Sequence, residues 1–137
     1  MKEILVDTNV LVSFLTHRNA DQQELAAHLF LGASERSHAL FIHSMSLVEL
    51  VYVMTRLYKA EPEKVAKLLG TLLEMPGVET VAEIAWNRIL ALWPLSFPAL
   101  GDAILAATAV EGRYDAVATF DLDLRSRLIR HGSASYW

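Results

Sequence analysis

No cysteine occurs anywhere in the 137 residues. That excludes disulfides and every thiolate metal site, and makes a cytoplasmic address the expectation. Long hydrophobic runs are missing too. Asp7, Glu49 and Asp102 interrupt the longest apolar stretches before any reaches the roughly 18 residues that a membrane span needs. No membrane is therefore expected as a partner. The first residues carry one Lys and no small-residue cleavage site, so they do not read as a secretory signal. Positive charge is scarce as well, and the net charge is −4. That argues against a protein held on nucleic acid by bulk positive charge, because neutralising phosphates needs Lys and Arg. Any nucleic-acid role has to rest on a local site, a dimer groove or bridging cations. Repeats, linkers and low-complexity tracts are lacking, and the length fits a single domain over residues 1–137.

What is present is 53% apolar, ample for a folded core. Short runs rich in β-formers predict strands over 3–6, 39–42, 78–81 and 115–119, with an edge strand over 133–137. Helical spacing predicts helices over 8–16, 21–36, 45–57, 61–74, 82–93, 99–111 and 122–130. Ser44 or Ser46 is expected to cap the third of these. Pro62, flanked by Glu61 and Glu63, suits the first turn of the fourth. Strands alternating with helices make the fold class α/β, a three-layer α/β/α sandwich around a mostly parallel central sheet.

Four carboxylates stand alone in this apolar background. Asp7 is the only charge from Ile4 through Thr16, at the carboxyl end of a strand, where open α/β sheets bind ligands. It could equally cap the helix that follows. Glu49 is the sole charge between His43 and Arg56. It sits mid-helix, where capping cannot explain it, and a distant Arg is its ordinary alternative. Asp102 is the only charge from Ile89 to Val110, with the helix dipole as the plain explanation. Asp121 lies between a strand and a helix like Asp7, with Asp123 two residues on. Burying an isolated carboxylate costs several kcal/mol or more. One cause covers all four: convergence at one edge of the sheet, where a cation relieves their mutual repulsion. Oxygen donors with no Cys and no helical His pair favour Mg²⁺ or Mn²⁺ over Zn²⁺. Such a site orients phosphate oxygens and activates water, which is the chemistry of phosphodiester hydrolysis. Thr8, Asn9 and Thr119 are placed to hold the acids or the water from behind.

Val6-Asp7-Thr8-Asn9-Val10, Val48-Glu49-Leu50, Gly101-Asp102-Ala103-Ile104-Leu105-Ala106-Ala107 and Ala118-Thr119-Phe120-Asp121-Leu122-Asp123-Leu124 together resemble the four acidic motifs of PIN-domain ribonucleases. Each motif is weak alone, but the ordered set covers nearly the whole chain. In size the chain is most similar to toxins of the VapC type. The resemblance implies a PIN-like fold and an Mg²⁺- or Mn²⁺-dependent endoribonuclease (a hydrolase) acting on RNA. It also implies a homodimer and a cognate antitoxin. Carried over residue by residue, Asp7, Glu49, Asp102 and Asp121 are the catalytic metal-site acids. Asp123 is an accessory, and Thr119 the hydroxyl that accompanies the last acid. Many relatives carry a basic residue and an aromatic just past that acid, where this chain has Leu122 and Leu124. An RNA contact there falls to Arg125, Arg127 or Arg130, whose plainer role is a solvated helix face.

Other features read as structural. His43 is expected to be an ordinary hydrogen-bonded histidine. Tyr52, Tyr58, Trp86 and Trp93 are expected in the core or a dimer contact. Two other enzyme-like classes fit poorly. A phosphoacceptor domain wants a Lys near its last strand, and none follows Lys67. An aspartyl phosphatase wants a second Asp where Asn9 stands. A PIN-like RNA-binding or scaffold module is the remaining alternative, although all four acids are retained.

Overall fold

The computed structural model describes residues 1–137. Its elements run β1 (Lys2–Val6), α1 (Thr8–Leu15), α2 (Ala20–Ser34), β2 (His38–His43) and α3 (Ser44–Tyr52). A π-helical turn, Val53–Leu57, continues α3. Then come α4 (Pro62–Glu74), β3 (Val78–Val81), α5 (Trp86–Leu92), α6 (Leu100–Glu111), β4 (Ala116–Ala118) and α7 (Leu122–Arg130).

The strands lie in the order β3-β2-β1-β4, and every pairing is parallel. The sheet is thus wholly rather than mostly parallel. Helices cover both faces, as parallel sheets require. Along β1, Ile4 and Val6 enter a core shared with α1, α2, α3 and α4. Leu5 enters the opposite core, built with α5, α6 and α7. All three are fully buried, each contributing about 1.5–3 kcal/mol by leaving water. This is the expected three-layer α/β/α sandwich.

From β1 the chain winds through β2 to β3 on one side, then returns to place β4 on the other side of β1. The crevice between the carboxyl ends of β1 and β4 is therefore the topological switch point, where such sheets bind ligands.

Several local expectations change. The 45–57 helix is capped by His43, not by Ser44 or Ser46, for His43 Nδ1 accepts from Met45 N at 3.0 Å. His43 Nε2 lies 2.8 Å from the Glu83 carbonyl, and the tautomer with its proton on Nε2 satisfies both bonds. That contact ties Glu83 to the end of β2, outside any helix, and α5 starts at Trp86 and not at 82. The edge strand expected over 133–137 reduces to a single bridge between Val117 and Ser135. Tyr136 and Trp137 are held by ring contacts, Trp137 stacking on Phe120 at 4.5 Å. No helix is long and apolar enough to cross a membrane.

Candidate active site

Asp7 follows β1 and Thr119 follows β4, one step beyond the paired Val6 and Ala118. The backbone continues that pairing, with Asp7 N donating to the Ala118 carbonyl at 2.9 Å. Thr119 Oγ1 then donates to Asp7 Oδ2 at 2.8 Å. The same hydroxyl accepts from Asn9 Nδ2 at 3.2 Å and from Asp121 N at 3.1 Å. Asn9 Oδ1 accepts from Phe120 N at 3.1 Å. Asn9 and Thr119 thus lock the start of α1 to the turn between β4 and α7. Asp7 Oδ1 accepts from Thr8 N at 2.7 Å, an earlier amide than the N2 or N3 group an N-cap usually serves. Asp121 does make the usual cap bond, to Leu124 N at 3.0 Å, through one oxygen only.

Glu49 comes from α3. Its side chain is exposed, in contrast to the burial its apolar neighbours suggest, and it reaches between two other elements. Thr8 Oγ1 donates to Glu49 Oε2 at 3.0 Å. Glu49 Oε1 faces α6 where Gly101 has no side chain, and a Cβ there would stand 2.6 Å from it. Asp102 follows on the first turn of α6, half-buried. The chain has two ion pairs, Arg88 with Glu111 and Arg127 with Asp123. None of the four acids belongs to either, so the alternative of a partnering arginine fails for Glu49.

Asp7, Thr8, Asn9, Glu49, Asp102 and Asp121 line one cleft of about 300 Å³. Its other lining residues are Val12, Arg18, Val53, Leu57 and Tyr58. Asp123 does not line it. Its carboxylate is exposed and pairs with Arg127 Nε at 3.0 Å. A larger cavity of about 600 Å³ lies between the end of β3, the segment that leads into α5 and the end of α6, but Glu83 and Glu111 are its only acids, and the cluster is not there.

The electrostatics follow from the crowding. Burial pushes the Asp7 carboxyl up to about 6, and the charges of Asp102 and Glu49 push it the same way. The Thr119 hydroxyl and the Thr8 amide oppose that rise. Asp102 is also raised, first by burial and then by Asp121, Glu49 and Asp123, with Arg127 opposing. These are carboxylates short of a counter-charge. Still, no three Asp, Glu or His side chains anywhere stand close enough together to hold one metal ion. A cation would have to draw them in, for which the exposed arm of Glu49 has the freedom. In donor type and in charge the residues fit a hard divalent ion.

The three arginines expected near the RNA lie off this cleft. Arg125 is half-buried and donates to the Thr119 carbonyl at 3.3 Å. Arg127 is held by Asp123 and by the Ser96 carbonyl at 3.0 Å. Arg130 is exposed, with Nε 3.4 Å from the Ser126 carbonyl. The cation that does line the cleft is Arg18, in the turn after α1. Nothing in the sequence marks it, since it sits among polar residues in an ordinary turn. Tyr58 and Leu57 likewise reach the cleft only because the π-helical turn lies beside it.

Comparison with known proteins agrees with this architecture. No curated protein matches the chain. One similar solved structure is VapBC2 from Rickettsia felis bound to a DNA fragment from its promoter, with a TM-score of 0.71 and 16% identity over 98% of each chain. Another is PAE2754 from Pyrobaculum aerophilum, with a TM-score of 0.61 and 19% identity over 95% of this chain and 89% of that one. At those identities the likeness is one of fold. The PIN domain family itself matches residues 4–127, nearly the whole length, and the chain belongs to that family.

Proposed function

We propose that this protein is a divalent-metal-dependent endoribonuclease, a single nuclease domain over residues 1–137. Asp7, Glu49, Asp102 and Asp121 hold Mg²⁺ or Mn²⁺, and RNA is the substrate. One observation carries this reading: acids from four separate elements line one cleft at the switch point, unpaired, with Asp7 and Asp102 both raised. PIN domains are typically nucleases and generally use divalent ions, which supports the same reading.

A bound ion would supply positive charge against a phosphodiester and a more acidic water. The chain's own residues set the stage for that chemistry. Thr119 and the Thr8 amide hold Asp7 and favour its ionised form, while Thr8 Oγ1 aims Glu49. Asn9 keeps the two halves of the crevice in register. Asp123 is left an indirect role through its charge on Asp102.

The fold shared with the Rickettsia felis complex supports a VapC-type toxin, with a cognate antitoxin as protein partner. A homodimer is supported by apolar side chains in solvent on α3, Val48 and Tyr52, each at 60% exposure. The test is cleavage of purified cellular RNA with Mn²⁺, with excess EDTA, and by Glu49→Gln. Fragments with a 5′-phosphate and a 3′-hydroxyl should appear only for the wild type with metal. Cutting that survives EDTA would overturn the reading.

A further inference from the structure

Arg18 belongs to the turn between α1 and α2, yet its side chain runs back along α1 toward the acids. Its Nη2 donates to the carbonyl of Asn9 at 2.8 Å, and its Nε donates to Ser13 Oγ at 2.9 Å. Asn9 is two residues from Asp7, so the guanidinium is delivered to the rim of the acidic cleft, which it lines. Ser13 is fully buried and is itself fixed by its bond to Gln22 at 2.8 Å. The guanidinium is therefore held at two points before any ligand arrives. A guanidinium has five N–H donors, so three remain for another partner.

No carboxylate lies within ion-pair distance of Arg18, although four line the same cleft. It is not there to neutralise them. An acidic cleft repels a polyanion, and a chain with net charge −4 offers it no general attraction. A fixed, unpaired guanidinium beside the acids is the group that can take a phosphate by two parallel N–H bonds. The plain alternative is a strut that ties the turn after α1 back onto the helix through Asn9 and Ser13. A strut needs only the two bonds already made and leaves the other three N–H donors unused.

We infer that Arg18 binds a backbone phosphate of the RNA next to the cut, fixing the strand's register over the acids. This rests on the ribonuclease reading. Arg18 is a substrate-binding residue on the approach to the cleft, and none of Arg125, Arg127 and Arg130 shares the task there.

The test is equilibrium binding of a labelled, random-sequence 20-nucleotide RNA with Mn²⁺ across a KCl series. The full chain carries Asp102→Asn so that the RNA survives. A phosphate contact contributes about 0.7 to the slope of log K against log salt for single strands. Adding Arg18→Gln should therefore flatten that slope by about 0.7 and weaken binding roughly tenfold at low salt. Arg18→Lys should restore most of the slope, because the charge returns without the planar fork. An unchanged slope with a lower melting temperature would make Arg18 a strut and overturn the inference alone. A wild type that fails to cleave cellular RNA with Mn²⁺ would overturn the ribonuclease reading and this inference together.

Discussion

A Cβ on Gly101 would stand 2.6 Å from Glu49 Oε1, so the backbone of α6 and the carboxylate of α3 share one space. The atom that would have to yield is the tip of an exposed side chain, which can swing away without disturbing a core. Gly101→Ala should therefore move Glu49 off the cleft while leaving the fold whole. Ala is favoured over Gly by about 1 kcal/mol inside a helix and by less in the first turn, where Gly101 stands, so the metal-free variant should melt at or slightly above wild type. RNA cleavage should nevertheless fall at least tenfold, about 1.4 kcal/mol in the barrier. Parallel melting and cleavage assays check this. Full activity in Gly101→Ala would mean that the position of Glu49 does not matter.

Asp7 makes the stability of the metal-free protein depend on pH. Its carboxyl is raised from an ordinary 3.8 to about 6 in the fold. A raised carboxyl adds stability in full below the unfolded value, and that stability is lost as pH rises through the folded one. In EDTA the wild type should thus weaken between about pH 4 and pH 7, by about 3 kcal/mol at most from this group. Asp7→Asn has no proton to lose there and should show a flatter profile. Melting temperature against pH for both proteins is the measurement. Superimposable profiles would show that Asp7 ionises without strain.

How far the sequence could be read depends on what each residue's neighbours along the chain reveal. Ile4 to Val6 is apolar without a break, and a strand covered on both faces has to look like that. The four acids stood out because each interrupts an apolar stretch, and the order β3-β2-β1-β4 does bring them to one cleft. Asp123 has the same local setting as Asp121, yet it turns out to Arg127. A two-residue step on a helix changes the face presented, and only the orientation of α7 decides which acid faces in. Glu49 looked buried because Leu47, Val48, Leu50 and Val51 surround it in sequence. On α3, only Ser46 and Leu50 are buried, and Val48 and Tyr52 face solvent. Arg18 was invisible because its role depends on a side chain folding back over a helix, which no spacing records.

That exposed apolar face leads to an oligomeric prediction. Val48 and Tyr52, one turn apart on α3, both face solvent, and a two-fold pairing would cover them. Light scattering at micromolar concentration should report a mass of about twice 15.3 kDa. A stable monomer would mean that these side chains remain in water.

The central claim is that Asp7, Glu49, Asp102 and Asp121 form one cation site, and it can be tested without a substrate. An ion bound only by the folded protein stabilises it by about 2.7 kcal/mol at a hundredfold excess over its dissociation constant, roughly 5–10 °C for a chain of this size. The measurement is a melting series with and without Mn²⁺ on wild type and Asp102→Asn. Wild type should gain those degrees with Mn²⁺. Asp102→Asn removes one of the crowded charges, so without metal it should match or exceed wild type, and with Mn²⁺ it should gain little. If wild type ignores Mn²⁺ and Asp102→Asn melts well below it, the four acids are local structural residues and the cation site does not exist.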